Sequence, residues 1–592
     1  MKKLLKRLCS AMVAAVMVMT MAPAAFAAGG GAQFQNGPYL LAPKTNSMVV
    51  VWESTEKVSA TIAYGTDESK LCDPIKVEID ADAPDFKGSK MNLFHYKLDN
   101  LTPGTRYYYE VKLEGGATCK ASFKTLSEKP DQIRLITLSD SHIFATRAEL
   151  DQAIKEFDPD LLLHCGDMVE GTGAQAEQFS FWFQGKVEND YIHSYPVVYS
   201  SGNHDQGGVY FNTYVYSIQD KEYGAEVEGD SSFNYAGLHI ITMNSNPWGL
   251  FQMNSEATGQ KADAATIKTI DNAMNWLKKD LATDAAKNAD FRLIFMHHPV
   301  SDAYTKRYIP AVIEPGKVDL LLSGHTHSYA RAVSSNPAVG AGTIYLTHQD
   351  ARTYNKKGDF FYITSTPGSG VLDVKNYGAT AAGQDSKVAN ETLVAKDKQQ
   401  LSWSDISITT SEVLYNGEVT VTAKVTNNGK GLAAAVIPVV DNGTTRYLYK
   451  FEDGIVTLDP GKSATLTGTL RMETLGTHTL KLADKTVSVN VKYRPATFDY
   501  TNIRTQQGNG KTSDMNSNIL HIKADVVNIG NDAGTGTAEF KVNGVTVGTR
   551  QYTLKSGESQ TAEFAYTFDK AGKYEVTIGN AKPETVYIEG SI

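Results

Sequence analysis

Hydrophobic and polar positions change their spacing along the chain. Between residues 37 and 127, short runs of β-branched and aromatic residues alternate with turn residues, as at 47–52, 60–64 and 107–111. Short runs separated by turns are typical of an antiparallel β-sandwich. The pattern therefore predicts one β-sandwich over residues 30–128.

From residue 130 onward, continuous apolar runs alternate with helical patterns. Four of these runs, each predicted to be a buried strand, lie at 133–138, 161–163, 197–199 and 293–295. A capping box that begins at Thr146 predicts a helix ending at Phe157, and a longer helix is predicted over about 262–281. This alternation predicts a layered α/β domain over residues 130–377, with helices outside a sheet or a pair of sheets.

The last third of the sequence contains two segments that look alike. A stretch rich in Ala, Gly, Gln, Lys and Asp, residues 378–400, is predicted to be a linker. The segments that resemble each other beyond it are 425–429 and 526–530, 458–461 and 554–557, and 476–480 and 572–576. They predict a duplicated, Ig-like β-sandwich module over 401–492 and 493–592. Neither copy has a cluster of catalytic residue types, so we expect a role in spacing or adhesion.

The N-terminus has the three parts of a secretory signal peptide. Basic residues precede an apolar run at about 8–21, and the small-residue pattern Ala25-Phe26-Ala27 follows. A membrane anchor is the alternative, but the run is shorter than the ~20 apolar residues that span a bilayer. We therefore predict that residues 1–27 are removed and that the protein is secreted or exposed at the cell surface.

Charge and cysteine content narrow the function further. The formal net charge is −9 and no run of Lys or Arg follows the signal, which argues against nucleic-acid binding by a basic face. Cys72 and Cys119 could pair after export, whereas Cys165 lies in an apolar segment and is predicted to be buried.

Polar residues of metal-ligand type follow five predicted strands of the α/β domain. These motifs are Asp140-Ser141-His142, Gly166-Asp167, Gly202-Asn203-His204-Asp205, His297-His298-Pro299 and Gly324-His325-Thr326-His327. Because ligands bind outside the carboxyl ends of strands in open sheets, five such loops can meet in one pocket. Imidazoles, an amide and carboxylates together suit divalent first-row metals. One zinc ion is saturated by four ligands, so more than four candidates indicate two ions. The seven candidates are Asp140, His142, Asp167, Asn203, His297, His325 and His327.

These motifs, in this order, resemble the signature of the calcineurin-like metallophosphoesterase superfamily, over about residues 133–331. The resemblance implies a four-layer α/β sandwich. It also implies one metal bound by Asp140, His142, Asp167 and His327, and a second bound by Asp167, Asn203, His297 and His325. It favours His297 over His298 as a ligand, with His298 behind it or packing.

The implied reaction is phosphate ester hydrolysis by hydroxide that bridges two ions ~3.5–4 Å apart. His204 resembles the family's general acid, a task that suits an imidazole. Its orienting carboxylate could be Asp205 or Glu170. Arg331 could contact phosphate, although a structural salt bridge explains it as well.

The predicted N-terminal sandwich and the segment 324–331 also resemble the purple acid phosphatases, whose N-terminal domain is of fibronectin type III kind. The sequence departs from them at two positions. Glu170 stands where those enzymes have the iron-binding tyrosine, and His142 is present where they lack a histidine. We therefore expect a colourless enzyme with two divalent ions such as Zn, Mn or Fe.

Several functions remain open from the sequence. Phosphate monoester hydrolysis of a small substrate is the first choice, and phosphodiesterase or nucleotidase action is the alternative, because outer loops select the substrate on a shared core. Residues 209–230 and 244–254 could line that pocket or simply pack. The two non-enzymatic alternatives are a surface adhesin with a vestigial phosphatase domain and a binding module. The C-terminal modules could contact the cell surface or cell wall.

Overall fold

The computed structural model describes the chain from residue 31 to residue 588 in a series of ranges. They are 31–81, 85–86, 89–142, 147–171, 176–185, 190–206, 210–247, 263–300, 312–313, 317–333, 342–349, 360–377, 390–395, 400–409, 411–448, 456–507 and 519–588. The predicted signal peptide and Thr146 lie outside these residues. Contacts divide the chain into two compact units. The first comprises residues 1–401, 427–434 and 457–462, and the second comprises 402–426, 435–456 and 463–592.

The first part of unit 1 contains two antiparallel sheets that share a core. The three-stranded sheet contains, in spatial order, Phe34–Leu41, Met48–Ser54 and Leu93–Leu98. The four-stranded sheet contains Ile75–Val77, Ala60–Gly65, Arg106–Leu113 and Thr118–Lys124, and a small hairpin adds Asp85–Phe86 and Ser89–Lys90. Trp52 stacks on Phe94 within the core, with ring centroids 5.3 Å apart. The Tyr107 hydroxyl accepts the Thr102 N–H, which fixes the turn before its strand.

Cysteine pairing does not contribute to this sandwich. Cys72 and Cys119 are both free thiols, one exposed and one buried. Burial raises the pKa of Cys119 to about 12, so this thiol is an inert core group.

Two six-stranded sheets follow in unit 1. The first has the spatial order Val197–Tyr199, Leu161–His164, Ile133–Leu138, Phe360–Ser365, Val371–Tyr377 and Asn390–Ala395. The second has the order Ser231–Tyr235, Leu238–Thr242, Phe291–Phe295, Leu320–Ser323, Ile344–Thr347 and Ala330–Val333. The first three strands of the first sheet are mutually parallel, as are the four central strands of the second. Their carboxyl ends therefore carry the loops that contain the predicted metal ligands.

The two sheets bury their inner faces against each other and their outer faces against helices. Leu135, Leu163, Leu293 and Leu322 belong to the same shared core. The outer face of the first sheet packs against Arg147–Phe157 and Ala176–Phe183, and the long helix Ala264–Leu281 packs on the second through residues such as Leu277. The remaining helical segments are Asp190–His193, the π-helix Asn212–Tyr216, Ser217–Tyr223 and Asp284–Asn288.

A strand occupies the second half of the predicted linker, so that interpretation was wrong there. Asn390–Ala395 pairs antiparallel with Val371–Tyr377, and Val394 is fully buried. The composition of the whole stretch 378–400 hid a short alternating run. The loop 427–434 lies beside this strand, because Leu432 donates its N–H to the Leu393 carbonyl and is itself buried.

The remaining strands extend to residue 588 and form two further cores. In the first, the strands are Leu401–Ile408, Glu412–Leu414, Gly417–Asn427, Ile437–Asp441, Thr444–Leu448, Ser463–Met472, Gly476–Leu482 and Lys485–Lys492. Ala433–Ala435 and Val456–Leu458 form a separate two-stranded sheet. In the second, they are Phe498–Gln507, Ile519–Asn528, Gly534–Val542, Val545–Leu554, Ser559–Thr567, Gly572–Ile578 and Glu584–Ile588. Strict in-out alternation, as in Ile519–Asn528, is the reason these segments form sheets with one buried face.

An equivalent asparagine closes a loop in each predicted repeat. The Asn427 amide donates to the carbonyls of Gly431 and Leu458, at 2.8 and 2.9 Å. The Asn528 amide donates to the carbonyl of Asp532 at 2.7 Å and to that of Leu554 at 3.0 Å. The sequence similarity between the two segments therefore extends to their hydrogen bonding. Within the described ranges, none of the helices is long and apolar enough to cross a membrane.

Candidate metal centre

The loops after five strands bring all seven predicted ligands to one edge of the paired sheets. Asp140 and His142 follow Ile133–Leu138, and Asp167 follows Leu161–His164. The other ligands are Asn203 after Val197–Tyr199, His297 after Phe291–Phe295, and His325 and His327 after Leu320–Ser323. The side chains form two adjacent groups, which we name the carboxylate-rich cluster and the nitrogen-rich cluster.

The carboxylate-rich cluster consists of Asp140, His142, Asp167 and His327, whose ligand atoms all lie within 4.8 Å of one another. His327 Nε2 is 3.3 Å from Asp140 Oδ1 and 3.4 Å from His142 Nε2. His142 Nδ1 lies 3.0 Å from the Val169 carbonyl, which directs its Nε2 into the cluster. These are the four residues that the family resemblance implied for one ion.

The nitrogen-rich cluster consists of His297, His298 and His325, again with ligand atoms within 4.8 Å of one another, together with Asn203. Asn203 Oδ1 lies 3.0 Å from His297 Nε2 and 2.9 Å from His325 Nδ1. Asp167 Oδ2 is 3.2 Å from His297 Nε2, so Asp167 contacts both clusters. This is the position expected of a bridging carboxylate.

The donor atoms are arranged to suit cations. His297 Nδ1 faces the Cys165 carbonyl at 2.9 Å, which is satisfied if this nitrogen carries the proton. The neutral ring then directs the lone pair of Nε2 at the oxygens of Asn203 and Asp167, and three acceptors facing each other repel. A proton or a metal ion removes the repulsion. The residues therefore fit a bound metal, and the mixture of imidazole, amide and carboxylate suits Zn, Mn or Fe.

The electrostatics agree with this reading. Burial alone would raise the pKa of Asp167. The charge of His297 and the hydrogen bonds that Asp167 accepts nevertheless hold this pKa well below its usual value. Burial alone would lower the pKa of His297, but Asp167 and its neighbouring carboxylates raise it to about 9. Burial and the charge of His297 lower the pKa of His325 to about 4. Without a metal, His297 therefore carries a positive charge beside Asp167, at the position that a bound cation would take.

Backbone strain is concentrated in the same loops. Asp140, His142, Asp167, His325 and His327 all have φ between 45° and 73°, in the left-handed region that residues other than glycine rarely adopt. Strained residues of this kind persist where the surrounding structure enforces them, and they cluster at functional sites.

Two motif glycines leave space for the carboxylates. A Cβ at Gly324 would overlap the Ser139 hydroxyl and the Asp140 carboxylate, and one at Gly202 would overlap Asp167. The absence of a side chain at these positions is therefore needed for the ligands to reach the edge.

Asp205 is bound to the backbone, and the prediction that its carboxylate orients His204 was wrong. It accepts the N–H groups of Gly202, Asp167 and Met168 at 2.7–2.8 Å. Burial and the nearby Asp167 raise its pKa to about 7. Asp205 therefore joins the Asp167 loop to the Asn203 loop, as a group that positions ligands.

His204 lies at the open side of the edge, with about a third of its side chain exposed. Its Nδ1 contacts the main-chain carbonyl of Glu170, and its Nε2 is 3.9 Å from Asp167 Oδ2. The Glu170 carboxylate instead lies 3.2 Å from His142 Nδ1. The prediction that the Glu170 carboxylate orients His204 was therefore also wrong, because the carbonyl takes that place.

Other predicted contacts resolve as packing or structural pairs. Arg331 forms an ion pair with Asp459 at 3.3 Å, the structural alternative that the sequence left open. Tyr210, Tyr214 and Tyr216 are buried in the core, so they do not line a pocket. Of the segment 244–254, residues 248–254 lie outside the described residues.

Sequence reasoning missed the polar groups behind the ligands. Ser245 Oγ lies 2.9 Å from His298 Nδ1, and His164 Nε2 lies 3.0 Å from Ser141 Oγ. Burial lowers the pKa of His164 to about 3, so this ring is neutral and holds the Asp140 loop by hydrogen bonding alone. A buried histidine at the end of a strand was the only signal available, and it does not reveal a partner distant in sequence.

Comparison with known families agrees with these motifs. Residues 133–329 match the model of the calcineurin-like phosphoesterase family, and residues 38–125 match that of the purple acid phosphatase N-terminal domain. The family resemblance predicted from the motifs is confirmed. The match supports a phosphoric ester hydrolase, and the family depends on two metal ions. A search of curated protein sequences returned no match.

The solved structures to which this chain is similar are distant in sequence. A structure described as PhoD is 12% identical, with 62% of this chain and 92% of that chain covered and a TM-score of 0.44. An uncharacterized protein from Streptococcus pneumoniae is 11% identical, with coverages of 45% and 98% and a TM-score of 0.22. Vps29 from Chaetomium thermophilum is 8% identical, with coverages of 44% and 98% and a TM-score of 0.24.

Proposed function

We propose that this protein hydrolyses phosphate monoesters outside the cytoplasm, with two divalent ions of Zn, Mn or Fe type. The observation that carries the proposal is the pair of donor clusters at one edge of the paired sheets, joined by Asp167. Asp140, His142, Asp167 and His327 would hold one ion, and Asp167, Asn203, His297 and His325 the other. Such ions, when bound, activate water and neutralise the charge of a phosphate group.

His204 is placed to act on the leaving group. Its Nδ1 donates to the Glu170 carbonyl, which fixes the ring and leaves Nε2 on the side of the clusters, 3.9 Å from Asp167 Oδ2. A proton held on Nε2 can pass to the alkoxide oxygen that departs from phosphorus. His204 would therefore be the general acid, with the Glu170 carbonyl as its orienting group.

The loops around the clusters would hold the ligands in place without further movement. The Asp205 carboxylate binds the backbone of two of them, and the Asp167 Oδ1 atom accepts the His204 N–H at 2.8 Å. Groups fixed in this way need little reorganisation when charge develops on the substrate. Positioning would thus contribute to catalysis alongside the metals.

A monoester substrate is favoured by the domain that precedes the centre. That domain matches the N-terminal domain of purple acid phosphatases. Phosphodiesterase or nucleotidase action is the competing proposal, since the same core serves both reactions. We further propose that the two C-terminal segments are Ig-like modules with the boundaries predicted from the sequence, that they hold the enzyme at a cell surface or cell wall, and that the N-terminal 27 residues direct export.

Metal content and a substrate panel test the proposal directly. We expect two metals per mature chain and faster hydrolysis of para-nitrophenyl phosphate than of bis-para-nitrophenyl phosphate or nucleotides. Asp167→Ala and His204→Ala should both lose turnover, with metal lost only in the first. Faster diester hydrolysis would replace the monoester proposal. A reconstituted protein with no metal and no turnover would replace it with a surface-binding role.

A further inference from the structure

His298 has a different environment from the one the motif implied. Its side chain is fully buried, and its ring lies against those of His297 and His325, with centroids 5.0 and 4.5 Å away. A ring nitrogen of His298 belongs to the same group of ligand atoms as those of His297 and His325. The residue is thus part of the nitrogen-rich cluster by position.

The hydrogen bonds of His298 leave one nitrogen open. Its backbone N–H donates to Ser245 Oγ at 2.9 Å, and its Nδ1 lies 2.9 Å from the same oxygen. Its Nε2 has no hydrogen-bond partner among the described residues. A buried polar atom left unpaired is destabilising, so such atoms in native proteins call for an explanation such as an ion.

The same arrangement recurs at two predicted ligands. His142 directs Nδ1 at the Val169 carbonyl, and His297 directs Nδ1 at the Cys165 carbonyl, each at about 3 Å, while Nε2 faces the cluster. Metal-binding histidines usually donate their second ring N–H to an oxygen in this way. Ser245 provides that oxygen for His298.

An open nitrogen would not be sufficient evidence by itself. His348 is also fully buried, with Nε2 3.1 Å from Thr137 Oγ1 and with Nδ1 unpaired among the described residues, yet it belongs to neither cluster. What distinguishes His298 is the combination of an open nitrogen, an oxygen on the other nitrogen, and two neighbouring ligand histidines.

We propose that His298 binds metal through Nε2 as the third imidazole of the nitrogen-rich cluster, with Ser245 as its orienting group. The proposal rests on the proposed function and goes beyond the ligand set that the motifs imply. Three imidazoles favour Zn over Mn at this position, because imidazole suits Zn whereas oxygen ligands suit Mn.

The test measures metal binding rather than turnover. Metal-free full-length protein would be titrated with Zn²⁺ against a chromophoric chelator, for the wild type, His298→Gln and the matched control His348→Gln. We expect one of the two sites to weaken at least about tenfold in His298→Gln and neither to weaken in His348→Gln. Ser245→Ala should weaken the same site less.

X-ray absorption of the wild type with Zn²⁺ gives a second measurement that does not depend on the folding of a variant. Difference spectra against His325→Ala should show three imidazoles at the nitrogen-rich site. Two imidazoles there, or unchanged Zn²⁺ affinity in a folded His298→Gln, would overturn the proposal. If His298→Gln lost only inhibition by inorganic phosphate, Nε2 would be a phosphate donor instead. No Zn²⁺ binding by the wild type would overturn the proposed function as well.

Discussion

The two donor clusters lie at one edge of the paired sheets and both contact Asp167, but their donor groups differ. The carboxylate-rich cluster has two carboxylates and two imidazoles, whereas the nitrogen-rich cluster has three imidazoles and the Asn203 amide. Parallel strands alone would place any residues at such an edge. The two clusters therefore differ in the residue that each loop carries rather than in the fold, and donor sets of these two kinds suit different metals.

The charge of the two clusters differs in the same sense. His327 and the other imidazoles around Asp140 outweigh its burial and lower its pKa, so this cluster stays anionic. In the nitrogen-rich cluster, burial and His297 lower the pKa of His325 to about 4, and burial lowers that of His298. One cluster therefore presents negative charge to a cation, whereas His325 and His298 in the other present neutral nitrogen lone pairs.

Removal of the shared carboxylate should have the largest effect, because it damages both clusters. Asp167→Asn keeps the shape of the side chain but removes the charge that faces His297 at 3.2 Å. We expect kcat/KM to fall at least ~10³-fold and the bound metal to fall below two per chain. Elemental analysis and steady-state kinetics measure both. Asp459→Asn, the same change at an exposed carboxylate, should leave both unchanged.

Separate substitutions in the two clusters should divide the metals. His327→Ala should weaken only the ion of the carboxylate-rich cluster, and His325→Ala only that of the nitrogen-rich cluster, each at least about tenfold. In competition between Mn²⁺ and Zn²⁺, we expect His327→Ala to lose Mn²⁺ preferentially and His325→Ala to lose Zn²⁺. Equal losses of both ions in both variants would show that the clusters do not differ.

Asp205→Asn should affect both clusters through their loops. The asparagine amide has only one oxygen that can accept a hydrogen bond. Its NH₂ group would face backbone N–H groups that donate to the carboxylate in the wild type. We expect turnover to fall about 10–100-fold and stability to fall about 1–3 kcal/mol. Kinetics and urea denaturation measure the two effects. Unchanged turnover in a destabilised variant would limit Asp205 to a structural role.

Substitution of Asp220 should have the smallest effect. Because Asp220 is not one of the predicted metal ligands, it reports how pH changes unfolding rather than metal release. Burial raises its pKa to about 7, compared with ~3.9 in an unfolded chain. Between these values the folded protein binds the extra proton, so this group lowers stability as pH rises from about 4 to 7. Asp220→Asn should remove that loss. Its free energy of unfolding should exceed that of the wild type by about 1–2 kcal/mol at pH 8 and equal it near pH 4. Urea denaturation of metal-free protein at both pH values tests this.

The local features of the α/β domain could be predicted because each has a nearby cause. The run 133–138 is a strand with the predicted bounds, and the helix predicted over 262–281 is Ala264–Leu281. Their apolar spacing and capping residues act over a few positions. The strand Asn390–Ala395 was missed because its partner, Val371–Tyr377, supplies the hydrogen bonds that its composition does not suggest.

The sequence by itself determined which residues can bind metal, because the donor atoms and the strands that precede them are local properties of the chain. Tertiary structure decided how those residues are used. Asp205 binds four backbone N–H groups across two loops, and His298 gains a partner 53 positions away in Ser245. Such contacts depend on which loops meet at the edge. The order of strands in the two sheets fixes that meeting, and no short stretch of sequence encodes it.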